Sequence, residues 1–398
     1  MRILACLVLR WPATRVAPRR LDGALRFTAA GLGLLLLATP ALSNQAGLSI
    51  PEPQYFSPPF SDQPSRLAVG PDGRVWVSIP SRSRVGVFNP TTGATDEYLV
   101  LEDMKPGKLL PLQDKVLFLL ANRDMLGVLV QGSSYPFTVK LPGQPYDIAP
   151  SPSGFWLAFP DSGSLLLLRS DNFTSLASIK VAVAYGEDVI CQTEEKLWAI
   201  TSDYRNIAVV NIKNLETSSI ALPERAYGLA PSSDGSVWLV SGGGDLLYLS
   251  ASGEIHNYSL PQGASVSSHL VPDRQGGVWY CDSARERLGF RDQKGLAERP
   301  LPGARPTSPS ASPNGYLWFI DEMGRRLGQV RMIVSSSNGE TSTTTTATQV
   351  SVTSSQQAAE GSNMLLLVQI ALAMVLLTAV LAALLRRKPF RRRKSKHR

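Results

Sequence analysis

Eight side chains able to do acid–base, charge or stacking chemistry fall in short strings of one texture. Arg66 lies in QPSRL, Tyr146 and Asp147 in QPYDI, Glu187 and Asp188 in YGEDV, Tyr227 in RAYGL, His269 in VSSHL and Arg305 in RPTSP; KPGKL belongs to the same set. A general acid and base must be held together to move a proton, and a metal needs several donors that converge. These residues are far apart in sequence, so the fold decides whether they meet. Brought together, they make a polar funnel able to hold a divalent cation or a sugar. The alternative is a solvated rim with no ligand. No CxxC or HxxxH spacing marks a structural metal, and the body's other histidine, His256, lies in a different context.

What positions these strings is a repeat. An apolar pair containing an aromatic recurs at Trp76, Phe118, Trp156, Trp198, Trp238, Trp279 and Trp318, at intervals of 42, 38, 42, 40, 41 and 39. Apart from Trp11 near the N-terminus, every Trp occupies this position. A period near 40 with short alternating strands marks the blade of a β-propeller. Helical repeats of that length would show amphipathic runs with a 3.6-residue period, and none occurs between 50 and 334. The sequence therefore predicts an all-β fold, a seven-bladed propeller over 44–334. At the same blade position each time, the Trp rings are expected to fill the space between blades.

The first unit shows the pieces: SRLAV, GPDG, RVWVSI, SRVGVF, NPTTG and TDEYLV. Asp72-Gly73, Asp234-Gly235 and Asn314-Gly315 precede their Trp at one fixed distance, and predict tight primed hairpin turns. Gly86, Gly127, Ala208, Gly289 and Gly328 put a small residue in the third strand, which would let a neighbouring sheet or chain approach closely. The seventh unit lacks a fourth strand. The segment PEPQYFSPPFSDQ has fourth-strand texture, so Gln54 to Phe60 is expected to close the ring, with 44–50 contributing no strand. Cys191 and Cys281 fall on blades that are not neighbours and are expected to be separate thiols.

The formal net charge is +8, but it is unevenly placed. Residues 1–43 carry six Arg and one Asp, residues 386–398 carry nine Lys or Arg and no acid, and the body between has 25 basic and 31 acidic side chains. A mildly acidic body removes the support for nucleic-acid binding. The two ends read instead as membrane addresses. Residues 364–385 are uncharged over 22 positions, roughly 33 Å of helix at ~1.5 Å per residue, against a hydrocarbon core of about 30 Å. They are expected to form one transmembrane helix. The basic tail 386–398 then lies in the cytoplasm and the propeller outside.

Residues 1–43 read as a secretory signal peptide cut after Ser43, or as an uncleaved anchor of the same topology. Residues 335–363, with 15 Ser or Thr in 29 positions, read as an extended stalk. Asn172 (NFT) and Asn257 (NYS) are glycosylation sequons. The address is thus a cell membrane, single-pass, with an extracellular protein, a glycan or a small molecule as the partner.

The unit RVWVSIPSRSRVGVFNPTTGATDEY resembles the repeat of the streptogramin lyases (virginiamycin B lyase), and more broadly gluconolactonase-like and NHL-type propellers, from about Gln54 to Val334. The resemblance implies a seven-bladed ring, a divalent cation and a catalytic Glu-x-His pair with a further His on loops entering the inner strands. The seven strings hold a single histidine, His269, and no Glu-x-His. The catalytic motif is therefore not carried over. Two functions follow: a surface binding or interaction module, or a lyase-like or lactonase-like extracytoplasmic enzyme using a divalent cation.

Overall fold

The computed structural model describes residues 49–333. The expected leader, stalk, apolar span and basic tail lie outside the described residues. Among those described, no helix is long and apolar enough to cross a membrane.

Within 49–333 the chain forms seven four-stranded sheets, numbered here as blades 1 to 7 from the strand Arg66–Val69 onward. Each of blades 1 to 6 is an antiparallel meander of four consecutive strands, running from the channel outward. Blade 7 takes its outer strand from the other end of the chain: Gln54–Phe56 pairs with Arg326–Arg331, Tyr55 opposite Gly328. The closing strand is three residues long, shorter than Gln54 to Phe60. Beyond it the chain crosses to blade 1, where Phe60 packs over Gly86; a Cβ there would lie 2.8 Å from the Phe60 ring. Upstream, Ile50 is buried against Trp279 and Leu317, and its carbonyl accepts a hydrogen bond from Arg299 Nη1 at 3.0 Å. Ile50, in the stretch expected to contribute no strand, is thus part of the core.

The tryptophans do fill the interfaces between blades. All six in the ring are at most 2% exposed. Trp76 packs on Leu109 and Leu120 of blade 2, Trp238 on Leu270 and Val278 of blade 6, and Trp318 on Leu67 and Val75 of blade 1. Losing one such ring costs about 3–5 kcal/mol. Trp156 Nε1 also donates to Gln192 Oε1 of the next blade at 2.8 Å. Blade 2 corrects the repeat by one residue. Leu117, not Phe118, stands opposite Leu110 as Trp76 stands opposite Ala68, and Leu117 packs toward blade 3. Its hairpin is one residue shorter than that of blade 1, but so are those of blades 3 and 4, which keep their Trp in register; in blade 2 the aromatic itself stands one position later.

Two local expectations change. At Gly73, Gly235, Gly276 and Gly315 only the glycine has positive φ, between 79° and 92°. Gly73 N–H bonds back to Gly70 O and Gly70 N–H to Arg74 O. These are three-residue hairpins ending in a left-handed glycine, not primed two-residue turns. In the third strands, the space beside Gly127, Gly289 and Gly328 is filled by a ring of the same blade. A Cβ would fall 1.9–2.1 Å from Phe118, Tyr280 or Phe319, each the cross-strand partner. Cys191 and Cys281 are buried free thiols, and burial raises both pKa values. Asn172 and Asn257 are both exposed, on a hairpin turn of blade 3 and the outer strand of blade 5.

Candidate functional site

One residue of each string, its fourth, occupies the same place at the channel mouth. Around the ring these are Arg66, Lys108, Asp147, Asp188, Gly228, His269 and Ser308. Ladder register breaks next to this position in blades 2, 5, 6 and 7, and such bulges re-aim a side chain. In blade 4, and in blade 7 as well, the backbone is strained: Asp188 and Ser308 have φ of 57° and 48°, left-handed values that cost roughly 1–3 kcal/mol in a non-glycine residue. Gly228 has a packing reason. A Cβ there would lie 2.2 Å from Ser268 O, because the blade 6 strand leans onto blade 5 as it brings His269 inward.

The side chains meet across the channel. Lys108 Nζ donates to Asp147 Oδ1 and Asp188 Oδ1, both at 2.6 Å. Asp147 is completely buried; its oxygens also accept the backbone N–H of Ile148, Val189 and Ile190 at 2.8–3.0 Å. Arg66 of blade 1 reaches across the ring to Glu187 through Nε. His269 stands between the two acids of blade 4, with Nε2 3.3 Å from Glu187 Oε2 and Nδ1 3.2 Å from Asp188 Oδ2. Nε2 lacks the alignment of a hydrogen bond and is buried, while Nδ1 is 3.0 Å from Ser268 Oγ. A cavity of about 390 Å³ opens over these groups, lined by Arg66, Tyr146, Glu187 and His269 with Asn122 and Gln144.

Charge in the mouth is nearly self-compensated: three carboxylates face two permanent cations and one imidazole. Burial alone would raise the Glu187 carboxyl, but His269 and Arg66 outweigh it and hold it at about 2. Burial alone would likewise lower Lys108, yet Asp147 and Asp188 raise it above the ordinary lysine value. Asp147 itself is pushed up by burial against the pull of Lys108.

The donor set does not fit the divalent cation that the lyase resemblance implies. Both oxygens of Asp147 are engaged, and Asp188 Oδ1 is held by the same ammonium. The Lys108 ammonium stands where a cation would have to bridge them. Two positions before His269 stands Ser267, not Glu. The mouth carboxylates are all in ion pairs, while His269 Nε2 has no hydrogen-bond partner.

Of the eight residues singled out from sequence, Arg66, Asp147, Glu187, Asp188 and His269 join one network. Tyr146 lines the cavity above it. Tyr227 lies on the rim outside the network, its ring 5.3 Å from that of Tyr204. Arg305 does not reach the network; 59% exposed, it pairs with Glu322 at 3.5 Å. Lys108 is the residue that sequence reasoning passed over. KPGKL carries it at the fourth place, the same place as Arg66, Asp147, Asp188 and His269.

Fold and mouth together define a closed seven-bladed propeller with an ion-paired channel entrance. No protein-family profile matches the sequence, and no curated protein sequence matches it. Solved structures do. Streptogramin B lyase matches with a TM-score of 0.61 at 17% identity, over 71% of this chain and 98% of that one. A catalytically inactive virginiamycin B lyase from Staphylococcus aureus, with quinupristin, matches with 0.61 at 18%, over 71% and 99%. Hydrazine synthase of Kuenenia stuttgartiensis matches with 0.56 at 16%, over 69% and 97%. The chain shares the ring of the streptogramin lyases, and at these identities the likeness is one of fold.

Proposed function

We propose that this chain is a surface binding module, a propeller held outside the cell by one C-terminal helix and engaging an extracellular partner at its channel mouth. One observation carries the reading: every carboxylate at the mouth already contacts a cation of the chain itself, Asp147 and Asp188 sharing Lys108. Such a cluster shapes and rigidifies an entrance but leaves no acid–base pair idle for turnover. Strand Arg326–Arg331 ends beside the hairpin of Gly315, with Met332 N–H bonded to Gly315 O, on the face opposite the mouth.

The test is made on intact cells expressing the full chain with an epitope after Arg398. Added protease should release the propeller and spare the epitope. A destroyed epitope with a protected propeller would overturn the topology. The enzyme reading has one observation in its favour, a buried imidazole nitrogen beside Glu187 under an open cavity. Purified chain incubated with quinupristin, with and without magnesium, should leave it intact; opening of its ring well above the buffer rate would restore the lyase.

A further inference from the structure

Two Asn-x-Ser/Thr motifs lie on the ring, and the fold treats them differently. The first, Asn172-Phe173-Thr174, is the tip of the hairpin between the third and fourth strands of blade 3, Ser164–Leu168 and Ser175–Lys180. Phe173, in the middle, has a left-handed φ of 61°. Its ring is half-buried, 6.3 Å from that of Phe155, with the Lys115 ammonium 5.7 Å over it. With the middle side chain drawn inward, Asn172 and Thr174 are left exposed. Asn172 Oδ1 accepts the Thr174 N–H at 3.1 Å and the Thr174 hydroxyl at 2.7 Å, while Asn172 Nδ2 has no hydrogen-bond partner among the described residues.

The second motif, Asn257-Tyr258-Ser259, belongs to the outer strand of blade 5, Ile255–Tyr258, where Asn257 stands opposite Leu247. Tyr258 lies 5.3 Å from the Trp238 ring and 4.6 Å under the Arg291 guanidinium, and Ser259 Oγ donates to Asp245 Oδ2 at 3.2 Å. Transfer of a sugar to asparagine needs a free amide nitrogen, a hydroxyl two residues on, and a stretch of chain that an enzyme can grasp. The tip at Asn172 offers all three. At Asn257 the hydroxyl is engaged elsewhere and the chain is held in a ladder. We infer that Asn172 carries an N-linked glycan and that Asn257 does not. The donor is a lipid-linked glycosyl phosphate, used by a membrane glycosyltransferase on the outer side. Asn172 Nδ2 bonds to the anomeric carbon, the bond from that carbon to the phosphate oxygen breaks, and the proton lost by nitrogen leaves with the lipid phosphate. The inference rests on the reading that the propeller lies outside the cell. The hairpin is at the end of blade 3 away from the mouth: Phe155 pairs with Leu168 just before it, whereas Asp147 of the mouth pairs with Ala158 near the other end of the same strand. A glycan there leaves the channel entrance open.

The test takes the full chain from the membranes of the cells that make it. Trypsin cuts after Arg169 and Lys180, so mass spectrometry reads Asn172 on peptide 170–180. That peptide should carry a sugar mass that Asn172→Gln and Thr174→Ala each abolish, and that Thr174→Ser, which keeps the hydroxyl, retains. Asn172 should be modified on at least about tenfold more copies than Asn257, whose strand must first open. Equal occupancy of the two, or a glycan on Asn257 alone, overturns the selection by the fold. A sugar that survives Asn172→Gln sits on a hydroxyl of the peptide and overturns the assignment. A bare Asn172 on chains whose propeller is released by protease from intact cells overturns the inference and leaves the surface reading standing. A bare Asn172 with a protected propeller overturns both.

Discussion

Replacing Lys108 with methionine keeps the stem and removes the ammonium that bridges Asp147 and Asp188. In the structure that ammonium is 2.6 Å from an oxygen of each, and the Asp147 side chain has no solvent exposure. Breaking a buried pair by deleting one partner typically costs about 3–5 kcal/mol, since the remaining charge stays buried. Three backbone N–H groups still hold Asp147, which places Lys108→Met at the lower end, about 3 kcal/mol. A ring of this size unfolds with an entropy of about 0.6 kcal/mol per kelvin. The melting temperature should therefore fall by ~5 °C. The interface tryptophans report unfolding directly, because all six move from buried sites into water.

The pH dependence separates this cause from a packing defect. Burial pushes the Asp147 carboxyl up, and without the ammonium it takes a proton more readily still. A protonated Asp147 needs no counter-ion, so the gap between variant and wild type should narrow as pH falls from neutrality toward 4. A drop of less than about 1 °C at neutral pH, or a gap that does not narrow in acid, would refute the assignment of Lys108 as the ion holding the mouth together.

Glu187→Gln tests the other half of the network. The folded carboxyl sits at about 2, below its ordinary 4.5, so the charge contributes stability that is full above about 4.5 and lost as pH falls toward about 2. The variant should melt lower than wild type by about 3 kcal/mol equivalent at neutral pH, and the two should converge near pH 2; a constant difference would refute the pairing. Added magnesium should leave wild-type melting unchanged, and a rise of several degrees would show that the carboxylates are available to a metal. Starting the chain at Ser61 removes Ile50 and the closing strand with Phe56, whose ring lies 5.2 Å from that of Trp318. Three ladder residues, one buried and one half-buried side chain should cost ~5 kcal/mol or more, visible as early melting or aggregation through the bared edge, whereas equal melting would mean the ring closes another way.

The fold was legible because each blade repeats one chemical pattern with a period near 40, and such a pattern can bury its apolar faces only by stacking on itself. Closure was legible too, since PEPQYF has the texture of the strand that RRLGQVRMIV lacks a partner for. Register was not. Phe118 looked like the missing tryptophan until strand pairing placed Leu117 there, one residue earlier. Leu117 and Phe118 are both apolar and adjacent, so composition does not say which of them faces the next blade.

The mouth divides in the same way. Sequence determines that seven strings enter the ring and which residue types they carry. It does not say which side chains face one another across the channel, because Arg66 and Glu187 are 121 positions apart and meet only once the ring is closed. Lys108 has no acid in its own string KPGKL; its role comes from Asp147 and Asp188, supplied by other blades. Arg305 was included for the opposite reason, a cation in the right string, yet its side chain pairs with Glu322. Local chemistry sets what each blade is, and closure of the ring sets which charges are neutralised and which surfaces remain open to a partner.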